Sequence, residues 1–543
     1  MYIDISAKKI VFILALILLL MISVYTTNTE KVHYFGSTPF FYTIIVGSKY
    51  AMNSVVADIE KTTLFAQSFF SRSTITQGEE RGIPVLTYHR IVNDPNDTSN
   101  VPLATFRDQM QTLKNAGWQA VSLEDFEAYL KGEKQLPDRS FLITFDDGAK
   151  ESFYPADPIL QAFNYHAAMY VIVASSQTPE STYYLSPQEI QWILKTGRWS
   201  IGSHSYDGHR PYPADAEGDA GVFFADRLWI PNQARLETPD EFATRVTNDL
   251  THAKNALQQT YGVPIDTFAF PLGNETNITG TANYPAGAST TEAIAKNIYT
   301  FGFLQTNNQG FTYNFPVSAA PATDIASQTK NMLATDFVVR RIHVDHDWNG
   351  ARLLAILENG REKGLPYQDD FTQDNGWITS WGVTDLGRNN FTLNATSQLT
   401  SVASFLDGSE LWNDYSFDMS ANWHIGYLIA EADVTDSKTY DACVFSPGKV
   451  EIQSSTDGVT QTLASVQNPK IQFGDGVRPG IRVRGSTIEC AWNFSAVADS
   501  FARVHAGGIG VQIWNDTPGT AALQVNSIIV RPFTTSSTST PIQ

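Results

Sequence analysis

Two carboxylates, Asp146 and Asp147, stand side by side before Gly148 at the end of the apolar run Phe141–Phe145. Adjacent residues at a strand end point in different directions, so one carboxylate can bind a cation while its neighbour handles protons. Downstream lies Gly202-Ser203-His204-Ser205-Tyr206-Asp207-Gly208-His209, with two of the chain's 10 histidines five residues apart in a turn-forming stretch. Imidazole suits zinc and its first-row neighbours, and Asp147 with His204 and His209 would form a two-histidine, one-carboxylate set with open positions. Open positions are what a catalytic metal needs. A third cluster, Phe268-Ala269-Phe270-Pro271-Leu272-Gly273, is an apolar strand running into a Pro-x-Gly turn that can aim a backbone N–H as an oxyanion donor. A fourth, Tyr88-His89-Arg90, puts another histidine at a strand end. Each cluster also has a plain reading: a polar turn, surface histidines, an ordinary strand exit, a core histidine.

These residues need elements to hold them. From Ile83 onward, short apolar strands alternate with amphipathic helices. Pro84–Val92 and Phe141–Asp147 read as buried strands with polar exits; between them Phe106, Met110 and Leu113 recur at helical spacing, with Gly117 as the stop. A further helix starts at Ser122, with Asp125 three residues on, close to a capping box. The clearest helix is Thr238–Tyr261: Thr238 and Glu241 form the box, Pro239 takes the first helical position, and Gly262 ends it. Its apolar stripe is Phe242, Val246, Leu250, Ala253, Leu257 and Tyr261. Such alternation indicates an α/β domain with parallel strands and reactive residues at their C-terminal ends; a closed barrel and an open doubly wound sheet fit it equally.

TFDDG (Thr144–Gly148), followed by a His-Ser…His segment and a Pro-x-Gly turn, resembles the NodB-homology polysaccharide deacetylases over roughly residues 83–350. The resemblance implies a distorted (β/α) barrel and a metal-dependent enzyme of carbohydrate esterase type. It is nearer to the subgroup that de-N-acetylates poly-β-1,6-N-acetylglucosamine, with an acid histidine on an early strand as at His89. Metal histidines five apart and a long insertion after the second, here Arg210–Leu257, are further subgroup features. The roles implied are Asp147, His204 and His209 as ligands of a divalent metal, Zn²⁺ first among the candidates. Asp146 would be the general base, His89 the acid, and Leu272, after Pro271, the oxyanion donor. Trp348 would form a wall. Where many members have Arg-x-Pro-Tyr-Gly, this chain has Ala269 and Leu272 in place of the arginine and tyrosine. The base's charge partner must then come from elsewhere, and Arg340, Arg341 or Asp345 can supply it. His343 and His346, in the same segment, are rival ligands.

Composition bounds the rest. The chain has 543 residues, 42% apolar and 17% charged, which suits two or three globular domains rather than a disordered or disulfide-built chain. A net charge of −19 argues against a nucleic-acid partner. Lys8 and Lys9 precede the apolar run Ile10–Tyr25, slightly short of the roughly 20 residues of a spanning helix, and no good cleavage site follows. The expectation is an uncleaved single-pass anchor over residues 1–27, with the remainder extracytoplasmic at the cell membrane. A lead segment follows over 28–82, in which Ser54–Phe70 can be helical. The α/β domain then takes 83–365.

Beyond it, 366–535 is rich in Thr, Ser, Asn, Asp and Gly with short alternating runs, an all-β jelly-roll sandwich similar to carbohydrate-binding modules, and 536–543 is a tail. Six of the 11 tryptophans lie there: Trp377, Trp381, Trp412, Trp423, Trp492 and Trp514. They serve either as core or as sugar platforms. Cys443 and Cys490, the only two cysteines, can pair or remain buried thiols.

The functional expectation is de-N-acetylation of an N-acetylglucosamine exopolysaccharide, with synthase or export components as partners. Peptidoglycan or chitin-like chains are the alternative substrates, and a non-catalytic glycan-binding matrix protein is the alternative from another class.

Overall fold

The computed structural model describes residues 39–68, 82–94, 96–177, 181–274, 283–306, 310–317, 334–387, 389–501 and 507–533. The expected membrane anchor lies outside them. Among the described residues no helix is long and apolar enough to cross a membrane. In the lead segment one helix runs through Pro39–Ser68, longer than expected because the apolar stretch from Pro39 is continuous with it.

Seven parallel strands close on themselves. In chain order they are β1 (Val85–Tyr88), β2 (Ser140–Phe145), β3 (Ala167–Val171), β4 (Trp199–Ser203), β5 (Thr267–Ala269), β6 (Phe301–Thr306) and β7 (Val338–His343). Each pairs with its successor, and β7 returns to β1 with Thr87 opposite His343. On the other side of β1, Tyr88 lies opposite Phe145 of β2. That double pairing of β1 decides between barrel and open sheet. All six residues of β2 are buried, as a strand covered on both faces requires.

The helices end where their signals stand. Helix Leu103–Asn115 buries Phe106, Met110 and Leu113 and stops before Gly117, whose φ is 84°. Helix Leu123–Leu130 is capped by Ser122, whose side chain accepts from the Asp125 N–H at 3.1 Å. Helix Pro239–Tyr261 has both halves of the Thr238–Glu241 box, and Gly262 takes the left-handed conformation after it. Its buried face is Phe242, Val246, Leu250, Ala253 and Leu257; Tyr261 at the last turn is only half-buried.

The chain forms two compact units. The first contains Ile83–Thr306 and Asp336–Leu354; the second takes up Asn307–Thr335, the excursion between β6 and β7, together with the chain from Ala355 onward. The second unit has a nine-stranded and a seven-stranded sheet, both antiparallel. They share one buried cluster that includes Phe417, Trp423 and Ile481 from one sheet and Ala430, Phe445 and Val511 from the other. This is a β-sandwich. Cys443 and Cys490 pair in a disulfide that joins the two sheets through that core. Of the six tryptophans, Trp412, Trp423 and Trp492 are buried, while Trp377, Trp381 and Trp514 keep part of their surface.

Candidate active site

The candidate residues gather at the carboxyl ends of the barrel strands, and the Asp-Asp pair diverges there. Asp146, 2% exposed, turns inward and accepts two hydrogen bonds from the Arg341 guanidinium, at 2.6 and 2.8 Å. Arg341 lies on β7 and has no exposed surface. Its Nη1 also reaches the Thr144 hydroxyl at 3.3 Å. Burial pushes the Asp146 carboxyl up, but the Arg341 charge, with His204 and His89 nearby, outweighs it and holds the group well below the usual carboxylate range. Of the three candidates for Asp146's charge partner, Arg341 is the one shown in contact with it.

Asp147 turns the other way. Its φ is 72° and that of Gly148 is 73°, so two successive residues adopt the left-handed conformation that Asp tolerates and Gly favours. This swings Asp147 Oδ1 to 3.3 Å from His209 Nε2 and 3.6 Å from His204 Nε2. The His204 Nδ1 lies 2.9 Å from the Ala269 carbonyl, which can only accept; Nδ1 therefore donates, and Nε2 of the neutral ring presents a lone pair. Burial pushes the His204 pKa down to about 4, against the attraction of Asp146 and Asp147, so the ring is neutral near pH 7.

The three donor atoms lie within 4.8 Å of one another, and among the described residues this is the one such gathering of His, Cys, Asp and Glu. His343 and His346 are not in it. Asp147 Oδ1 is buried without a hydrogen-bond partner among the described residues, an acceptor facing imidazole nitrogens across a gap. Two nitrogens and a carboxylate oxygen in this relation fit a divalent cation and suit little else.

The loop bearing the histidines is fixed from behind. The His204 N–H donates to Val171 O at 2.9 Å, and Val173 and Ala174 donate to the carbonyls of Ser205 and Tyr206. Asp249, on helix Pro239–Tyr261, accepts from the backbone N–H groups of Tyr206 and Asp207, each at 3.0 Å. Gly208 permits the turn back to His209, since a Cβ there would stand 2.5 Å from the Phe224 ring.

His89 follows β1, and its ring centroid is 5.6 Å from that of His343 at the end of β7. Ser152 donates to the His89 carbonyl at 2.5 Å, and the next residue, Arg90, is held by Glu151 at 2.8 Å and Asp97 at 3.2 Å. Pro271 is buried and opens a short 3₁₀ turn in which Leu272 has a φ of 56°. Trp348 is 2% exposed; its carbonyl accepts from Gln109 at 2.7 Å, so its ring has almost no surface to offer as a wall.

Tyr183 and Tyr184 were not singled out by their sequence. Lys150 donates to the Tyr183 carbonyl, Leu185 donates to that of Gly148, and Tyr184 bridges to Ala149, which pins the two rings beside Asp147. Burial, and the Asp147 charge after it, push the Tyr183 hydroxyl up to about 12. Both rings remain partly exposed. The segment Ser181–Pro187 reads in sequence as the approach to a helix N-terminus, so its one signal was the doubled aromatic.

Residues 133–290 match the family model described as polysaccharide deacetylase. The chain is 24% identical over 211 residues to poly-β-1,6-N-acetyl-D-glucosamine N-deacetylase of Escherichia coli (strain K12), covering 36% of this chain and 31% of that protein. It is also 24% identical over 178 residues to the enzyme of the same name from Staphylococcus aureus (strain MRSA252), covering 32% of this chain and 54% of the other. The matches thus span about a third and about half of those relatives. Among solved structures, a de-N-acetylase from Aggregatibacter actinomycetemcomitans aligns with 18% identity and a TM-score of 0.40, over 50% of this chain and 99% of that one. The Asp-Asp pair and the two histidines lie inside the matched stretch, which is a polysaccharide deacetylase domain of NodB type, similar to the poly-β-1,6-N-acetylglucosamine deacetylases.

Proposed function

We propose that this chain is a metal-dependent de-N-acetylase of a poly-β-1,6-N-acetylglucosamine-type exopolysaccharide, releasing acetate and leaving glucosamine units. The observation that carries the reading is the Asp147–His204–His209 gathering with its orphaned carboxylate oxygen. These three would hold a divalent ion, Zn²⁺ first, which would polarise the acetyl carbonyl and lower the pKa of a water.

The chain's own groups do the rest. Asp146, kept ionised by Arg341, takes a proton from the attacking water at a carboxylate oxygen. Arg341 also fixes the plane of that carboxylate through its paired hydrogen bonds. The Leu272 N–H, aimed by the left-handed turn, donates to the oxyanion. His89 gives its proton to the departing amine nitrogen, without which an amide leaves poorly. Tyr183 and Tyr184, beside Asp147, offer ring faces to a sugar.

The chain is further proposed to be anchored by residues 10–25 with its domains outside the cytoplasm, near synthase and export components. The inter-sheet disulfide supports an oxidising compartment. The sandwich is proposed to bind glycan.

The test is amine release from β-1,6-linked N-acetylglucosamine oligomers, with and without chelator, beside Asp147→Asn. Release that chelator and the substitution both abolish is expected. No release from folded, metal-loaded protein would overturn the substrate assignment, and the same failure on chitin and peptidoglycan fragments would favour a binding protein.

A further inference from the structure

The seven-stranded sheet of the second unit has two faces of different chemistry. In its strand Tyr427–Asp436, Leu428, Ala430 and Ala432 belong to the sandwich core. The alternate residues Tyr427, Ile429 and Glu431 lie on the opposite face. There Ile429 joins Ala442 and Val444 in a separate apolar cluster bordered by Tyr427, Tyr440 and Trp514. Across the strands, Tyr427 stands opposite Trp514, Ile429 opposite Gln512, and Glu431 opposite Gly510.

Two polar atoms in this patch have no hydrogen-bond partner among the described residues. Glu431 and Gln512 are 4% and 7% exposed, and Oε1 of each is buried without a hydrogen bond. The Gln512 oxygen accepts, and the Glu431 carboxyl accepts once ionised, so a cationic donor would satisfy the pair. Burial alone pushes the Glu431 carboxyl up to about 8. Gly510 is built around the same group, because a Cβ there would stand 2.2 Å from Glu431 Oε2. The carboxyl lies over the one cross-strand neighbour that has no side chain.

We propose that this face binds a glycan bearing free amines, with Glu431 receiving an ammonium group, the Gln512 carbonyl accepting from a sugar hydroxyl, and the Tyr427 and Trp514 rings flanking the chain. The occupant is the glucosamine-containing product of the deacetylation proposed above, and the inference rests on that reading. Charge selects it. An ammonium both donates hydrogen bonds and neutralises a buried carboxylate, whereas an acetamido group has one N–H and no charge. The net charge of −19 favours the same polymer at long range.

The full chain carrying Asp147→Asn, which leaves the ligand unconverted, is titrated calorimetrically with β-1,6-linked glucosamine oligomers and with N-acetylated oligomers of equal length. The titrations are repeated with Glu431→Gln or Trp514→Ala added. Glucosamine oligomers are expected to bind at least tenfold more tightly than acetylated ones. Glu431→Gln should remove that preference, and Trp514→Ala should weaken both. Equal affinity for the two oligomers, no binding of the glucosamine series, or an unchanged preference in Glu431→Gln would overturn the proposal. Should Glu431→Gln fail to fold by circular dichroism, an unchanged glucosamine affinity in Trp514→Ala overturns it. Amine release by the unsubstituted chain, assayed in parallel, separates the two readings. Its failure with binding intact sinks the catalytic reading alone, and its success without binding sinks this one alone.

Discussion

A carboxylate shut away from water is a poor base unless something keeps it charged, and at Asp146 that is Arg341. The sign of the pH dependence follows. Because its folded value is depressed, Asp146 contributes stability that is present above the ordinary carboxylate pKa and is lost only as pH falls through the lower folded value. Arg341→Met removes the attraction and leaves burial, which acts upward. The acid limb of the pH–rate profile should therefore move to higher pH, and denaturant unfolding should show a loss of about 3–5 kcal/mol, typical of breaking a buried pair. An unmoved limb would mean that Asp146 is not the base. Arg341→Lys should recover charge without the paired geometry, and so only part of the rate. At the other side of the reaction, His89→Ala should keep its metal by elemental analysis yet lose turnover, whereas Asp147→Asn should lose both. Full activity in His89→Ala would refute its role as the acid.

At the level of elements, helix Pro239–Tyr261 does two jobs: one face fills core and Asp249 holds the histidine loop. Asp249→Ala should leave the fold intact by circular dichroism and weaken metal affinity by about 10–100-fold, the usual effect of losing a group that orients ligands. Metal-competition titration measures this, and wild-type affinity would show that the loop holds its shape unaided. Much of this level was legible in the residues. The Thr238–Glu241 box, Pro239 and Gly262 set both ends of that helix, because caps are local chemistry. The two histidines and Asp147 were legible as a candidate set by type and spacing, and the fold brings the three together.

Arg341 was legible only as one of three candidates, although strand alternation contained the answer. It shares parity with buried Val339 on β7, while Arg340 faces out. The Tyr183–Tyr184 pair was not legible, since a bridge between loops far apart in sequence places it. Trp348 read as a wall because it follows a charged segment, but its indole is in the core.

For the molecule as a whole, two architectures on one chain were visible in the change of composition near residue 365. That the excursion Asn307–Thr335 leaves the barrel for the second unit was not visible, because its anchors are tertiary: Phe311 against Phe405, ring centroids 4.5 Å apart, and its N–H on Asp407. The disulfide gives a prediction on this scale. It closes a separation of 47 residues and ties one sheet to the other, so Cys443→Ala with Cys490→Ala should lower the sandwich's stability by about 4 kcal/mol on chain-entropy grounds. Chemical denaturation with tryptophan fluorescence reads this, and an unchanged midpoint would mean that the core alone holds the sheets.

The barrel's closure has a consequence in time. The family match ends at residue 290, yet Arg341 lies beyond it and His89 ahead of it, and the pairing of β7 with β1 brings both strands beside Asp146. A ribosome makes both aspartates and the two histidines well before the arginine. Until the seventh strand arrives the barrel is open, and Asp146 lacks the guanidinium that fixes its carboxylate once it is buried. On the proposed mechanism, a nascent chain carries its reactive groups unarmed, and competence arrives with the last staves of the barrel.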